Sequence, residues 1–352
     1  MNRKTRVMHY YTIPNNSGGP MTYINTIIKS SLKDKYDFSV CYQIKTAKEL
    51  RFKDVKRIVA EIKKEKPDIL HIHGLQSEGF FGVLFGRLAH VPHILMTVHG
   101  MDHEATLISN SRRMLFRDFI EPFSLRHSDY VYCVAKATEK KGIIVRNSKR
   151  LLPCIQNATE FNQGKPIDRR ELGFSGNDII VVVVGRVSID KGMQTLERVI
   201  SANRNAAVKF LIVGEGDYSP EMHQKYKDRD DVYFTGFTDN PYGYLEISDI
   251  YLCVSLHENM SIALLEAGQH ALPCIVTDVG DNADVVKNGI NGFVVRVDDA
   301  DAVGHHIGQL AENESMRKAM GVRAREIVER DYSIEKMLGK IDGVYQQIIA
   351  GN

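Results

Sequence analysis

The sequence predicts an α/β protein built on parallel sheets, and three observations carry that prediction. Asp178 to Gly185 contains a continuous β-branched run, Ile179 to Val184, as a strand buried on both faces of a parallel sheet requires. Residues 252–280, LCVSLHENMSIALLEAGQHALPCIVTDVG, read as strand, loop, helix and strand, the repeating unit of such a sheet. Two further apolar runs, KFLIVGEGD (Lys209 to Asp217) and VYFTGF (Val232 to Phe237), carry glycine at their carboxyl ends, where a chain turns away from a sheet edge.

The chain of 352 residues exceeds what one core usually serves, so two domains are expected. With 43% hydrophobic and 26% charged residues the composition is that of a globular protein, and the longest apolar run is far too short to span a bilayer. The amino terminus has basic residues but no apolar signal-peptide core, which leads us to expect a cytoplasmic protein. Five scattered cysteines, Cys41, Cys133, Cys154, Cys253 and Cys274, read as buried free thiols, and no pair has metal-site spacing. Charge is unevenly spread: residues 1–160 hold 26 Lys and Arg against 15 Asp and Glu, a basic excess that suits an anionic membrane surface or a phosphorylated partner.

In chain order, Arg6 to Thr12 reads as the first strand. A loop with the pair Gly18-Gly19 leads into a helix with Pro20 in its first turn and Ile24, Ile27, Ile28 and Leu32 on one face. Glycine there lets backbone approach a ligand, although the string is not the dinucleotide fingerprint. Asp37 to Tyr42 is the second strand, and Val55, Ile58, Val59 and Ile62 stripe a lysine-rich helix. PDILHIHG (Pro67 to Gly74) is a strand whose His71 and His73 share a face; they read as packed or hydrogen-bonded, because nothing nearby supplies further metal ligands. HILMTVHG (His93 to Gly100) ends at His99, and His99 and Asp102 sit where ligands collect in these sheets.

Arg112, Arg113, Arg117 and Arg126 interleave with Met114, Leu115, Phe116, Phe119 and Phe123, a second basic and apolar stretch suited to a lipid or acceptor. No nucleic-acid-binding module surrounds it, so no nucleic acid is expected as partner. Asp129 to Ala135 and Leu151 to Asn157 close the first domain, and the polar residues 158–178 read as a linker. After the β-branched run comes GRVSIDKG (Gly185 to Gly192), where Arg186 and Lys191 at a strand-to-helix loop have the charge to neutralise a diphosphate. In the central stretch Glu258 lies in the loop, and Glu266 falls about two turns into the following helix. A helix opening near Ser261 offers unpaired N–H groups to a phosphate or sugar. Asp228-Arg229-Asp230 and Asp299-Ala300-Asp301 read as turn and cap residues rather than metal ligands. Ser333 to Ile349 is a final amphipathic helix.

Glu258, seven residues, and Glu266 at a loop-to-helix turn, followed by LPCIVTDVGDNADVVKNGINGFVV (Leu272 to Val295), resemble the signature of the retaining glycosyltransferases of family four. The resemblance spans nearly the whole chain and implies a GT-B fold: two Rossmann-like domains with parallel sheets facing across a cleft, here 1–160 for the acceptor and 161–332 for the nucleotide sugar, with 333–352 crossing back onto the first. It implies Arg186 and Lys191 on the donor diphosphate, Glu266 on the ribose hydroxyls and Glu258 at the donor sugar. It further implies Gly19 near the phosphate, His99 near the transferred sugar, and Gly214, Glu215, Gly236 and Phe237 around the base. Backbone groups of Asn259, Met260, Ser261 and Ile262 would meet sugar and phosphate. The family commonly has Glu-Gly-Phe where this chain has Glu258-Asn259-Met260, a departure that bears on the choice of donor sugar.

The expected activity is transfer of a hexose or N-acetylhexosamine, from a UDP-sugar in preference to a GDP-sugar, to a saccharide or lipid-linked acceptor of a bacterial surface glycan. The resemblance implies retention, and no metal or other cofactor is expected, cationic side chains standing in for an ion. Two rivals differ in their assays. A sugar-nucleotide epimerase or hydrolase would turn over donor without acceptor, and a non-catalytic scaffold would bind donor without transfer.

Overall fold

The computed structural model describes residues 3–12, 19–43, 49–101 and 109–351. The chain divides into two compact units, Met1–Asn157 joined by Ile334–Asn352, and Ala158–Ser333. Asp102 lies outside the described residues.

The first unit is a five-stranded parallel sheet of β1 (Thr5–Thr12), β2 (Tyr36–Gln43), β3 (Ile69–His73), β4 (His93–Val98) and β5 (Tyr130–Cys133), in the order β2-β1-β3-β4-β5. Central strands are covered on both faces, so β3 is buried at every position. The order reverses at β1, whose neighbours are β2 on one side and β3 on the other. Strand register sets His9 directly beside His71, and the two-residue period puts His73 on that same face. Leu32 is buried as expected, but from a separate 3₁₀ turn (Ser31–Asp34), because the Gly19–Lys29 helix has already ended. Leu151 to Asn157 runs beside β5 through single backbone bonds, Leu152 N–H to Val131 carbonyl at 2.8 Å among them, and forms no strand of its own.

The Ile334–Ala350 helix packs on this sheet and buries Ile341, Tyr345 and Ile348 completely. Such side chains contribute roughly 1.5–3 kcal/mol each. Its polar contacts fix the docking angle: Lys35 pairs with Asp342 at 2.5 Å, the Tyr36 hydroxyl donates to Asp342 at 2.7 Å, and the Tyr345 hydroxyl is 2.8 Å from His71 Nδ1.

The second unit holds six parallel strands: β6 (Ile179–Val184), β7 (Val208–Val213), β8 (Val232–Gly236), β9 (Ile250–Cys253), β10 (Cys274–Thr277) and β11 (Gly292–Val295). Their order is β11-β10-β9-β6-β7-β8. The chain runs outward from β6 through β7 and β8, then returns to place β9 on the other side of β6. That reversal opens a crevice beyond the carboxyl ends of β6 and β9, the place where ligands bind in open α/β sheets.

Candidate active site

Arg186, Lys191 and Glu258 all come from the two loops that leave β6 and β9. The β6 loop passes through Gly185 and Arg186, forms a 3₁₀ turn at Ile189–Lys191, and enters the Met193–Ala202 helix through Gly192. Gly192 has φ +74, and a Cβ there would fall on the Val254 carbonyl oxygen, so only glycine lets the β6 loop lie against the end of β9. One backbone bond ties the loops together, Leu256 N–H to the Asp190 carbonyl at 2.9 Å.

Across that junction the Lys191 ammonium is ion-paired to Glu258, and the Ser255 hydroxyl donates to the same carboxylate oxygen at 3.0 Å. Glu258 is 11% exposed and Lys191 29%, so the pair is largely withdrawn from water. Burial alone would push the Lys191 ammonium down, but the charge of Glu258 and its hydrogen bond prevail and raise the lysine pKa. Arg186 differs: its guanidinium donates to Asp190 at 2.8 Å yet stays 63% exposed. Burial would raise the Asp190 carboxyl, but the neighbouring Ser188 hydroxyl and the charges of Arg186 and Lys191 lower it. Gly185, Arg186, Lys191, Ser255, Glu258 and Ser261 line one pocket. The exposed Arg186 guanidinium stands at its mouth over the half-buried Lys191–Glu258 pair, an arrangement suited to an anion with a polyhydroxylated group attached.

Glu266 occupies a second environment. The residues from Ser255 to Ser261 are not helical, and the Ile262–Gln269 helix begins after its Ser261 cap. Glu266 is therefore just over one turn into the helix rather than two. Its carboxylate accepts from the Tyr242 hydroxyl at 3.1 Å, and burial pushes it up to about 7 against the opposing pull of that bond. The Tyr242 ring stacks on His270, interplanar angle 7°, and His270 Nδ1 is 2.8 Å from the Glu266 carbonyl. A half-buried carboxylate so held accepts hydrogen bonds from ligand hydroxyls.

The remaining expected residues of this unit surround these groups. Gly214 N–H donates to the Gly236 carbonyl at 3.1 Å, joining the ends of β7 and β8, with Glu215 exposed beside them and Phe237 78% exposed. Ser261 caps the helix by accepting from Leu264 N–H at 3.3 Å, Met260 is buried, and Asn259 and Ile262 are half-buried. Gly280 supports the glutamate loop, since a Cβ there would strike the Asn259 carbonyl oxygen. Asp299 is a helix cap accepting from Ala302 N–H at 3.0 Å. Asp228 and Asp230 precede β8 as exposed residues.

In the first unit, Gly19 opens the Gly19–Lys29 helix after β1, and His99 follows β4. His99 is half-buried, and burial takes its pKa down to about 3. Its Nε2 is 3.2 Å from His73 Nδ1, and Tyr23 meets its ring edge-on at 5.1 Å. His71 and His73 do have a third imidazole beside them, contrary to the reading from spacing: His9, supplied by the neighbouring strand. Both ring nitrogens of His71 and of His73 already have hydrogen-bond partners, the Tyr345 hydroxyl and Thr97 for the first, His9 and His99 for the second.

Asp190, Tyr242, Ser255 and His9 were not singled out from sequence as site residues. Ser255, three residues before Glu258, carried a local signal, and Asp190 lay inside the GRVSIDKG string. Tyr242 and His9 reach their places only through strand order and helix packing.

Residues 164–327 match the family model described as Glycosyl transferases group 1, and residues 37–143 match Glycosyltransferase Family 4. The chain is 26% identical over 353 residues to UDP-Gal:alpha-D-GlcNAc-diphosphoundecaprenol alpha-1,3-galactosyltransferase of Escherichia coli, covering 93% of this chain and 89% of that one. It is 27% identical over 301 residues to N-acetyl-alpha-D-glucosaminyl L-malate synthase of Bacillus anthracis, covering 83% and 78%. Among solved structures it resembles Anabaena HepE in complex with UDP and glucose, with a TM-score of 0.82 and 16% identity over 97% of this chain and 100% of that one. Two Rossmann-like parallel-sheet units of this kind are the GT-B fold, and the protein is a glycosyltransferase. It belongs to glycosyltransferase family four.

Proposed function

We propose that this enzyme transfers a hexose or N-acetylhexosamine from a UDP-sugar to a saccharide or lipid-linked acceptor in surface-glycan synthesis, with retention and without a metal ion. One observation carries the reading: an exposed guanidinium and a lysine–glutamate pair share a pocket at the β6/β9 crevice, with a hydroxyl-accepting glutamate one helix turn beyond Ser261. The names of two similar proteins support the donor and acceptor classes, one specifying UDP-Gal and a diphosphoundecaprenol acceptor and the other a complex with UDP and glucose.

The chemistry asks for stabilisation of negative charge. As the bond from the sugar C1 to the diphosphate oxygen breaks, that oxygen keeps the electron pair and the sugar becomes cationic. Arg186 and Lys191 would hold the growing charge, the work a divalent ion would otherwise do. An acceptor oxygen forms the new bond to C1 on the face the diphosphate leaves, and its proton passes to the departing phosphate oxygen. Glu258 would hold a sugar hydroxyl, Glu266 the ribose hydroxyls, Gly19 would approach a phosphate, and His99 would face the transferred sugar. The ends of β7 and β8, Gly214 to Glu215 and Gly236 to Phe237, would flank the base, and Asn259 to Ile262 would offer backbone groups to sugar and phosphate.

Among the described residues no helix is long and apolar enough to cross a membrane. Met114, Leu115 and Phe119 are 56%, 50% and 68% exposed beside Arg112, Arg113 and Arg117, a surface suited to the anionic headgroups around a lipid-linked acceptor. A panel of UDP- and GDP-sugars offered with an undecaprenyl-diphosphate-linked sugar, with and without EDTA, tests the reading. Acceptor-dependent, EDTA-resistant product with the donor's anomeric configuration is expected. Donor turnover that ignores acceptor, or an inverted product, would overturn it.

A further inference from the structure

His9, His73 and His99 form an ordered hydrogen-bond chain, with His71 packed beside it. His9 Nδ1 lies 2.8 Å from His73 Nε2, and His73 Nδ1 lies 3.2 Å from His99 Nε2. His9, His71 and His73 are wholly buried. His71 stands against the chain at ring distances of 4.2 and 4.9 Å but bonds elsewhere, to Tyr345, Thr97 and Tyr132. The inner terminus, His9 Nε2, is buried and has no partner among the described residues. At the outer terminus His99 is half-buried, and among the described residues nothing bonds its Nδ1.

A neutral imidazole carries one N–H, so each bond in the chain fixes the direction of the next. Either every ring is protonated on Nε2, which leaves a donor N–H of His9 orphaned in the core, or every ring is protonated on Nδ1, which leaves only a bare lone pair there. Orphaned buried N–H groups are the rarer and costlier case. We propose that His9 and His73 hold His99 in the Nδ1–H tautomer, so that His99 meets the transferred sugar as a neutral hydrogen-bond donor. Burial holds the rings in their uncharged forms: His9 and His99 are pulled down to about 3, and His71 and His73 well below the usual imidazole range. His9 and His73 are then positioning residues that act through His99. This step rests on the proposed placement of His99 at the donor sugar.

Long-range proton–nitrogen NMR of the full-length protein labelled with ¹⁵N-histidine reads the tautomers without any turnover. His9, His73 and His99 should all be neutral and protonated on Nδ1 between pH 6 and 8. Protonation of His99 on Nε2, or a transition metal copurifying on His9, His71 and His73, would overturn the proposal. Turnover supplies the second arm. His9→Leu removes the donor to His73 and should lower kcat about tenfold, the value of one net hydrogen bond, while UDP affinity is unchanged. His9→Asn, whose side-chain amide replaces the Nδ1–H, should recover most of that loss; equal defects in both variants would overturn the proposal. If instead His99→Ala turns over normally while the NMR tautomers are as expected, the placement of His99 at the sugar fails and the tautomer chain stands.

Discussion

Glu266→Gln is the substitution whose two effects have opposite signs. In the folded protein burial pushes the Glu266 carboxyl from 4.5 to about 7. The folded state therefore binds more proton than the unfolded chain between those values. Stability from this group is complete below pH 4.5 and is lost as pH rises through 7. The gap corresponds to at most about 3 kcal/mol. Glutamine accepts the Tyr242 hydrogen bond as well as the neutral acid does and never ionises. The variant should lie within about 1 kcal/mol of the wild type at pH 5 and be the more stable at pH 8, by about 5 to 10 °C for a unit of this size.

Ligand binding should run the other way, because in the proposed function the ribose hydroxyls would donate to the ionised carboxylate. Dividing wild-type by variant affinity for UDP cancels the ligand's own phosphate ionisation, and that ratio should rise about tenfold from pH 6 to 8. Calorimetric melting at the two pH values and titration calorimetry with UDP read both effects. A melting difference that is the same at pH 5 and pH 8, or a flat affinity ratio, would refute the assignment of a raised carboxyl at the ribose.

Other perturbations act on the junction of the β6 and β9 loops and on the docked terminal helix. Arg186→Ala should fold normally, since the side chain is 63% exposed, and lose at least about a hundredfold in kcat/KM, as removal of one transition-state charge donor does; near-normal turnover would remove it from the mechanism. Lys191→Met leaves Glu258 buried without its cation, and chemical denaturation should show a loss approaching about 3 kcal/mol. Adding Glu258→Gln should restore most of that stability but none of the activity, and additive losses would deny the coupling. Gly192→Ala places a Cβ on the Val254 carbonyl and asks alanine for φ +74, so urea denaturation should register a loss of at least about 2 kcal/mol; an unchanged midpoint would mean the loops separate freely. Tyr345→Phe leaves His71 Nδ1 buried without its partner, and a melting loss equivalent to about 1–3 kcal/mol is expected; no loss would mean that packing alone docks the helix.

The parallel α/β class was legible because its signals are local. A β-branched run such as Ile179–Val184 states burial on both faces in six letters. Cys274–Thr277 is bounded by Pro273 on one side and a polar turn on the other. The Glu258 and Glu266 spacing is equally local, and so is the cap at Ser261. Spacing misplaced Glu266 by a turn because it counted the loop residues as helix.

Partnership between distant residues was set by strand order, which local sequence does not encode. Lys191 reaches Glu258 because β9 returns to the side of β6. His9 joins His71 and His73 because β1 has β3 for a neighbour, so that the strand register aligns residues far apart in the chain on one buried face. Glu266 acquires its raised pKa from burial beside Tyr242, a residue with no sequence signal of its own. Residue types and their alternation fixed which side chains this chain could use. The folded sheets decided which of them are dry, paired or left facing a ligand, since desolvation and hydrogen bonding depend on neighbours in space rather than along the chain.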